Sequence, residues 1–297
     1  ENFEAYSDPT VVNPQFGIES IDHQSTSIAL TPYASGPQGR VIAFSSLLSY
    51  NETDDAVPRF YTNNLNALDL RTDEKKGTTQ THAPEDAGWL VVGPAPNDGE
   101  ANIRPTDFGG LSGFRGAETV NVPEITVTFP EAFDEVPVVL ADMMTRSGGD
   151  PSYVRVFDVT TDGFKMQIDE TAFDTASNQT WGHADETVGW LAVEQGTFQF
   201  GDKILGEAVV ADRETTAALG RDFSDTAAQD AAFEQFSFIN PGYSGDMLSL
   251  VAGMYFDDDL DSGDSGLDDY FAQYRIRNLS SLGFEFAVEN AWDFDDG

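Results

Sequence analysis

The chain has 297 residues, with 52 Asp and Glu against 15 Lys and Arg, and so carries a formal charge of -37 at pH 7. That charge repels phosphates and anionic headgroups, which excludes the electrostatic mode that dominates nucleic-acid interfaces. With no cysteine anywhere, disulfides, thiolate metal sites and cysteine nucleophiles are excluded together.

The 22 Phe, 9 Tyr and 4 Trp supply the aromatic mass of folded cores. At roughly 100 to 200 residues per domain, the length predicts two or three domains. The acid excess comes from loss of lysine: Lys75, Lys76, Lys165 and Lys203 stand against 11 arginines. In molar salt the Debye length shrinks to about 3 Å and such a surface no longer repels itself. The expected setting is therefore brine. No run of apolar residues is long enough to insert in a membrane. The sequence opens at Glu1 without an initiator Met or signal peptide, as a processed secreted protein or a trimmed one would.

Along the chain, short runs rich in Val, Ile, Phe and Thr alternate with Gly, Pro, Asn and Asp clusters, which predicts an all-β fold of antiparallel sandwiches. RVIAFSSLLSY, EITVTF, VPVVLADMM, YVRVFDVT, GFKMQIDE, GWLAVE, FEQFSF, MLSLVAGMYF, YRIRNLSS and GFEFAVE read as strands in that order. GGLSGFRG, from Gly109 to Gly116, reads as a flexible connection. The Ala-rich stretch from Thr215 to Phe233 is the one place where a short helix is expected, weakened by Gly220 and Asp222.

Two internal matches organise the chain. HAPEDAGWLVVG (82–93) repeats as HADETVGWLAVE (183–194) with seven of twelve residues identical. YVRVFDVTTDGFKMQID (153–169) repeats as QYRIRNLSSLGFEFAVE (273–289), pairing Arg155 with Arg275 and Gly163-Phe164 with Gly283-Phe284. A fainter version, PRFYTNNLNALDLRTD, puts Arg59 in the arginine place. Repeats of this kind predict three modules, 1–97, 98–197 and 198–297, each of about 100 residues. The third ends before any counterpart of GWLAVE, and an incomplete sandwich exposes an edge that recruits strands. Continuation beyond Gly297, a strand donated by a neighbouring subunit, and a divergent but complete module all fit that pattern.

The second module, with EITVTFPEAFDEVPVVLADM, YVRVFDVTTDGFKMQID and HADETVGWLAVE, resembles an H-type lectin domain. The resemblance covers residues 124–194 well, 233–289 moderately and 26–93 weakly. It implies six-stranded antiparallel β-sandwiches that assemble as trimers and bind N-acetylgalactosamine-type sugars, and three tandem copies would build a pseudo-trimer in one chain. In sugar-binding members an aromatic–His pair follows the Gly-Phe step at a fixed distance. That place holds Thr171-Ala172 in the second module and Lys75-Lys76 in the first, neither of which stacks on a sugar. In the third it holds Ala291-Trp292, followed by Asp293, so Trp292 and Asp293 are the carbohydrate-binding candidates.

Other constellations carry less. His82 with Glu85, and His183 with Glu186, sit at the entrance to a strand, where residues three apart face opposite ways, so they are expected to fix the turn while Trp89 and Trp190 enter the core. The acidic run from Asp257 to Asp269 offers Asp257, Asp259, Asp261 and Asp264 as oxygen ligands, for which calcium is the ion. A solvated hairpin loop is the competing reading. GDSG (263–266) lacks a companion His and acid and is rejected as a serine-protease turn. Asn51, Asn178 and Asn278 begin glycosylation sequons, of interest outside the cell.

No convergent nucleophile, acid–base pair or metal set appears, so binding rather than catalysis is expected. The expected partners are glycans, other surface proteins, or further copies of this chain in a trimer or filament. The expected function is adhesion or carbohydrate recognition at a cell or virion surface, or alternatively a structural role in an extracellular filament or virion surface.

Overall fold

The computed structural model describes residues 14–33, 39–49, 51, 56–74, 82–99, 103–121, 124–148, 152–170, 184–200, 203–210, 233–238, 250–252, 255–256 and 272–290. They form an all-β protein of small, almost wholly antiparallel sheets. The stretch expected to be helical, 215–233, lies outside the described residues except for Phe233.

Strands β1 (Gln15–Ile21), β2 (Thr26–Ala29), β3 (Val41–Leu47), β4 (Ala56–Asn63), β5 (Ala67–Glu74) and β6 (Glu85–Pro94) build two three-stranded sheets, β1-β6-β3 and β2-β5-β4. Alternation sends Ile21, Ala43, Leu47, Ala87, Trp89 and Val91 of the first sheet inward. There they meet Ile28, Phe60, Leu68 and Leu70 of the second. Trp89 pairs across the strands with Gly17, and a Cβ there would lie 2.8 Å from the indole, so only glycine lets the ring lie flat on its neighbour.

Strands β7 (Arg104–Phe108), β8 (Leu111–Val120), β9 (Ile125–Thr128), β10 (Val138–Met143), β11 (Ser152–Phe157), β12 (Gly163–Glu170) and β13 (Glu186–Val193) repeat the plan as sheets β10-β13-β8-β7 and β11-β12-β9. Trp190 is fully buried and packs on Phe164 and Phe129 at ring-centroid distances of 5.5 and 6.2 Å. Burying a ring of this size stabilises by roughly 4–6 kcal/mol at about 25 cal/mol per Å².

GGLSGFRG is not a loose connection. Gly109 and Gly110 form the turn, and Leu111 onward is strand β8, in which Gly116 pairs with Trp190 as Gly17 pairs with Trp89. Of the glycines that suggested flexibility, Gly116 is the seat of a buried tryptophan and Gly113 lies against Ala192 and Val193.

A third set comprises β14 (Gly196–Phe200), β15 (Lys203–Ala208), β16 (Glu234–Ser237), β17 (Tyr255–Phe256), β18 (Ala272–Ser280) and β19 (Gly283–Asn290). β14 and β15 form a hairpin, and β16-β19-β18 form a sheet on which Phe236 and Phe284 stack at 5.0 Å. β17 joins the second sandwich, running parallel to β11 through Val156↔Tyr255 and Phe157↔Phe256. Of the strand predicted over MLSLVAGMYF, only this short piece is strand among the described residues.

Candidate functional site: the seam between the sandwiches

The outer faces of the two Trp-bearing sheets are as apolar as their inner faces, and they meet. Ile42, Phe44 and Val92 of the first sandwich share one cluster with Ala117, Met144, Leu191 and Val193 of the second. Strand β3 is consequently buried at every position, which explains why its sequence, VIAFSSL, carries no charged residue and does not alternate. The Gly of each Gly-Trp step faces this seam. A Cβ on Gly189 would lie 2.8 Å from Met144 Sδ and 3.2 Å from Ile42 Cγ2. At the matching Gly88 it would lie 2.3 Å from the carbonyl oxygen of Leu250.

The contacts follow one order. Ser46 and Asp142 hold the same place, each opposite the glycine of the adjoining Gly-Trp strand. Asp142 Oδ2 accepts from Ser45 N at 3.0 Å and from Ser45 Oγ at 3.1 Å. Ser46 Oγ accepts from Ala252 N at 2.9 Å. The second set therefore leans on the first as the first leans on the third, and β17 against β11 brings third and second together. Three sets of strands thus touch pairwise around the cluster of Phe44, Leu140 and Val251.

A buried ion pair crosses the seam. Arg59, on β4, donates from Nη2 to Glu186 Oε1 at 3.0 Å and from Nη1 to Ser152 Oγ at 2.6 Å. The side chains are 1% and 0% exposed. Burial pulls the Arg59 guanidinium below its ordinary pKa, and Glu186 pushes it back. Glu186 also accepts from Thr145 Oγ1 at 2.5 Å, Ser147 N at 2.7 Å and Gly148 N at 3.1 Å, so its carboxylate is fully engaged. Losing one partner of such a pair costs about 3–5 kcal/mol, because the other charge stays buried.

Glu85 occupies the corresponding pocket at the entrance to β6. It accepts from Ser49 Oγ and, at 2.8 Å, from Asn51 N, and Ser49 Oγ in turn accepts from Asp86 N at 2.7 Å. Thr145 does likewise for Thr187 N, also at 2.7 Å. The His-x-x-Glu motif is thus a strand-entry clamp in which Glu is the working member. His82 is buried with Nδ1 2.8 Å from Ala83 O and 3.9 Å from Glu85 Oε1. His183 lies outside the described residues.

Further ionisable groups mark the seam. The Asp142 carboxyl is pushed up to about 7 by desolvation, against the pull of hydrogen bonds from Met143 N and Ser45. Part of the Asp142 surface stays open to solvent, but the carboxylate is walled by both sandwiches. Nearby, the guanidiniums of Arg71 and Arg146 lie 3.4 and 4.3 Å from the centroid of Tyr61, whose hydroxyl donates to Asp73 at 2.9 Å. Arg146 reaches Asp73 Oδ2 from the other sandwich at 3.6 Å. Several of the chain's few arginines are thus concentrated at this joint, a pattern that composition alone does not reveal.

Trp292, Asp293, Asp257, Asp259, Asp261, Asp264 and Asn178 lie outside the described residues. Asn51 is exposed, with Nδ2 donating to Pro84 O at 2.7 Å. Asn278 is exposed on β18 in the left-handed region (φ 54°) beside a bulge, with Nδ2 donating to Glu285 at 3.0 Å. Sequence reasoning missed the seam. Its readable signals were the Arg that recurs at one place in each repeat and the uncharged run VIAFSSLL.

Fold and seam together define an all-β protein of antiparallel sandwiches joined face to face by a buried Arg–Glu pair. Among curated proteins the chain is similar to halomucin of Haloquadratum walsbyi (strain DSM 16790 / HBSQ001), with 25% identity over 232 residues. The match covers 77% of this chain and 2% of halomucin, so the chain spans a small fraction of that protein's length. No family model and no solved structure matches, and the likeness to H-type lectins rests on the motifs themselves.

Proposed function

We propose that the chain is a non-catalytic structural segment of an extracellular or cell-surface protein from a high-salt environment. Its sandwich modules, 1–97, 98–197 and 198–297, interlock into a pseudo-trimer instead of recruiting separate subunits. The observation that carries this reading is the buried Arg59–Glu186 pair, which fastens one Arg-bearing strand to the next Gly-Trp strand. The likeness to halomucin, from a halophile by the strain's name, and the charge of -37 support the setting. Closed on itself in this way, the chain serves as a rigid building element that self-associates or joins other surface proteins.

Small-angle X-ray scattering in molar salt tests it. A ring of three sandwiches gives a compact particle, with a radius of gyration of about 19 Å for a chain of this length. A beads-on-a-string profile, unchanged by Arg59→Ala, would overturn the proposal.

The resemblance to H-type lectins favours a second reading, adhesion through carbohydrate recognition, with Trp292 as stacking platform and Asp293 as hydroxyl acceptor. A glycan array in molar salt, with wild type beside Trp292→Ala, decides it. Binding lost in the variant supports the lectin, and no binding by either chain removes it. Calcium held by Asp257, Asp259, Asp261 and Asp264 belongs to the same tier, and an unchanged melting temperature with and without chelator would dismiss it.

A further inference from the structure

The hairpin of β7 and β8 buries a charge that the Arg59–Glu186 joint does not use. Arg115, on β8, is 9% exposed and stands between Leu191 of β13 and Arg104 of β7 in the strand register. Alternation puts it on the seam face, in line with Leu111 and Ala117 of the seam cluster. Among the described residues its hydrogen bond runs from Nη1 to Thr106 Oγ1 at 3.2 Å, and its buried Nε donates to no acceptor. The Thr106 hydroxyl in turn donates to Arg104 O at 3.2 Å.

Other basic side chains of the fold find carboxylates. Arg59, Arg71, Lys165 and Arg277 each meet one at 3.1 Å or less. Arg115 meets a second arginine instead, because Arg104 stands directly opposite on β7, and like charges so placed repel. No carboxylate among the described residues acts on it. Its other ionisable neighbour is Tyr33, which packs on the core of the first sandwich and is hydrogen-bonded to Gln15. Burial pushes the Tyr33 hydroxyl up to about 12, so it keeps its proton and offers no negative charge. Burial, and after it Arg104, pull the Arg115 guanidinium below its ordinary value, yet an arginine does not give up its proton in a protein. Charge balance for this pair, one member buried and the other exposed, therefore falls to an anion from solution.

We infer that Arg115 and Arg104 form an anion site at the rim of the seam, and that its ligand is chloride. A small spherical anion reaches Arg115 past the exposed Arg104 and accepts hydrogen bonds from any direction, where a carboxylate needs a planar approach to a guanidinium edge. In molar salt even a weak site of this kind is filled by mass action, and binding to the folded state alone stabilises it. With Tyr33 and Gln15 on the first sandwich and Arg115 on the second, the anion plays at this end of the seam the part that Glu186 plays for Arg59. Salt then acts on this chain as a ligand as well as a screen.

The test follows the line width of chloride NMR with the full 297-residue chain. Chloride is titrated into a constant molar sodium background, with methanesulfonate as the balancing anion. Saturable excess broadening, competed away by bromide, is expected. Arg115→Met is expected to weaken the site about tenfold or more, since it removes a buried charged donor. Arg104→Gln, at an exposed position, is expected to weaken it about threefold, and it decides the matter alone if Arg115→Met does not fold. Lys165→Gln removes the same charge elsewhere and is expected to change nothing. Equal broadening in wild type and Arg104→Gln would overturn the inference, as would an equal loss in Lys165→Gln, which would indicate a general charge effect. Competition by acetate at lower concentration than bromide would also overturn it, by reassigning the site to a carboxylate.

Discussion

The entrances to β6 and β13 carry the same four-residue motif and build the same clamp, yet their carboxylates are compensated differently. Glu186 is met by Arg59 from the other sandwich, whereas Glu85 has His82 from its own loop at 3.9 Å. One motif therefore serves as a local turn fastener in one place and as half of a joint in the other. Chemistry at a repeated motif is decided by what the neighbouring repeat presents to it.

The sharpest way to break the comparison is to remove each partner in turn. Arg59→Ala leaves Glu186 buried without its cation and is expected to cost about 3–5 kcal/mol in urea unfolding at molar salt. His82→Ala removes one buried contact and is expected to cost about 1 kcal/mol. Near-equal losses would mean that the two pockets are equivalent after all. Replacing both Arg59 and Glu186 by Met should recover most of the single-mutant loss, since apolar packing often matches a buried pair.

The two seam glycines allow a finer comparison. Gly88→Val meets a backbone carbonyl and Gly189→Val meets movable side chains, so losses of about 3 and about 1 kcal/mol respectively are expected from thermal melts. Asp142→Asn probes pH. Because the folded carboxyl is raised to about 7 from 3.8, the native state holds the extra proton, and stability from this group is lost as pH rises from about 4 through 7. The variant is expected to flatten that slope and to gain about 1 kcal/mol above pH 7, discounted for partial exposure, in melts across pH. Smallest is Arg146→Ala, which removes one guanidinium from Tyr61 and is expected to cost about 0.5–1 kcal/mol.

The strands were legible because period-two alternation and Gly or Asn turns leave plain marks, and β9, β10, β11, β12 and β13 fall where the residue pattern puts them. β8 was misread because its glycines serve close packing and not a bend, and one sequence letter does not distinguish the two. The seam was invisible for a different reason. Arg59 and Glu186 are 127 residues apart, and nothing local to either records that they meet. The repeat showed that Arg59, Arg155 and Arg275 belong together, but not that Arg59 faces the following repeat.

Strand β3 belongs to two cores at once, with all seven residues buried. The first sandwich cannot open without stripping the outer face of the second, so the two are expected to melt in a single cooperative transition. Calorimetric and van't Hoff enthalpies should then agree for a unit of about 200 residues, not for two halves. A domain that looks modular in sequence thus gains its kinetic persistence from a strand that has no solvent side.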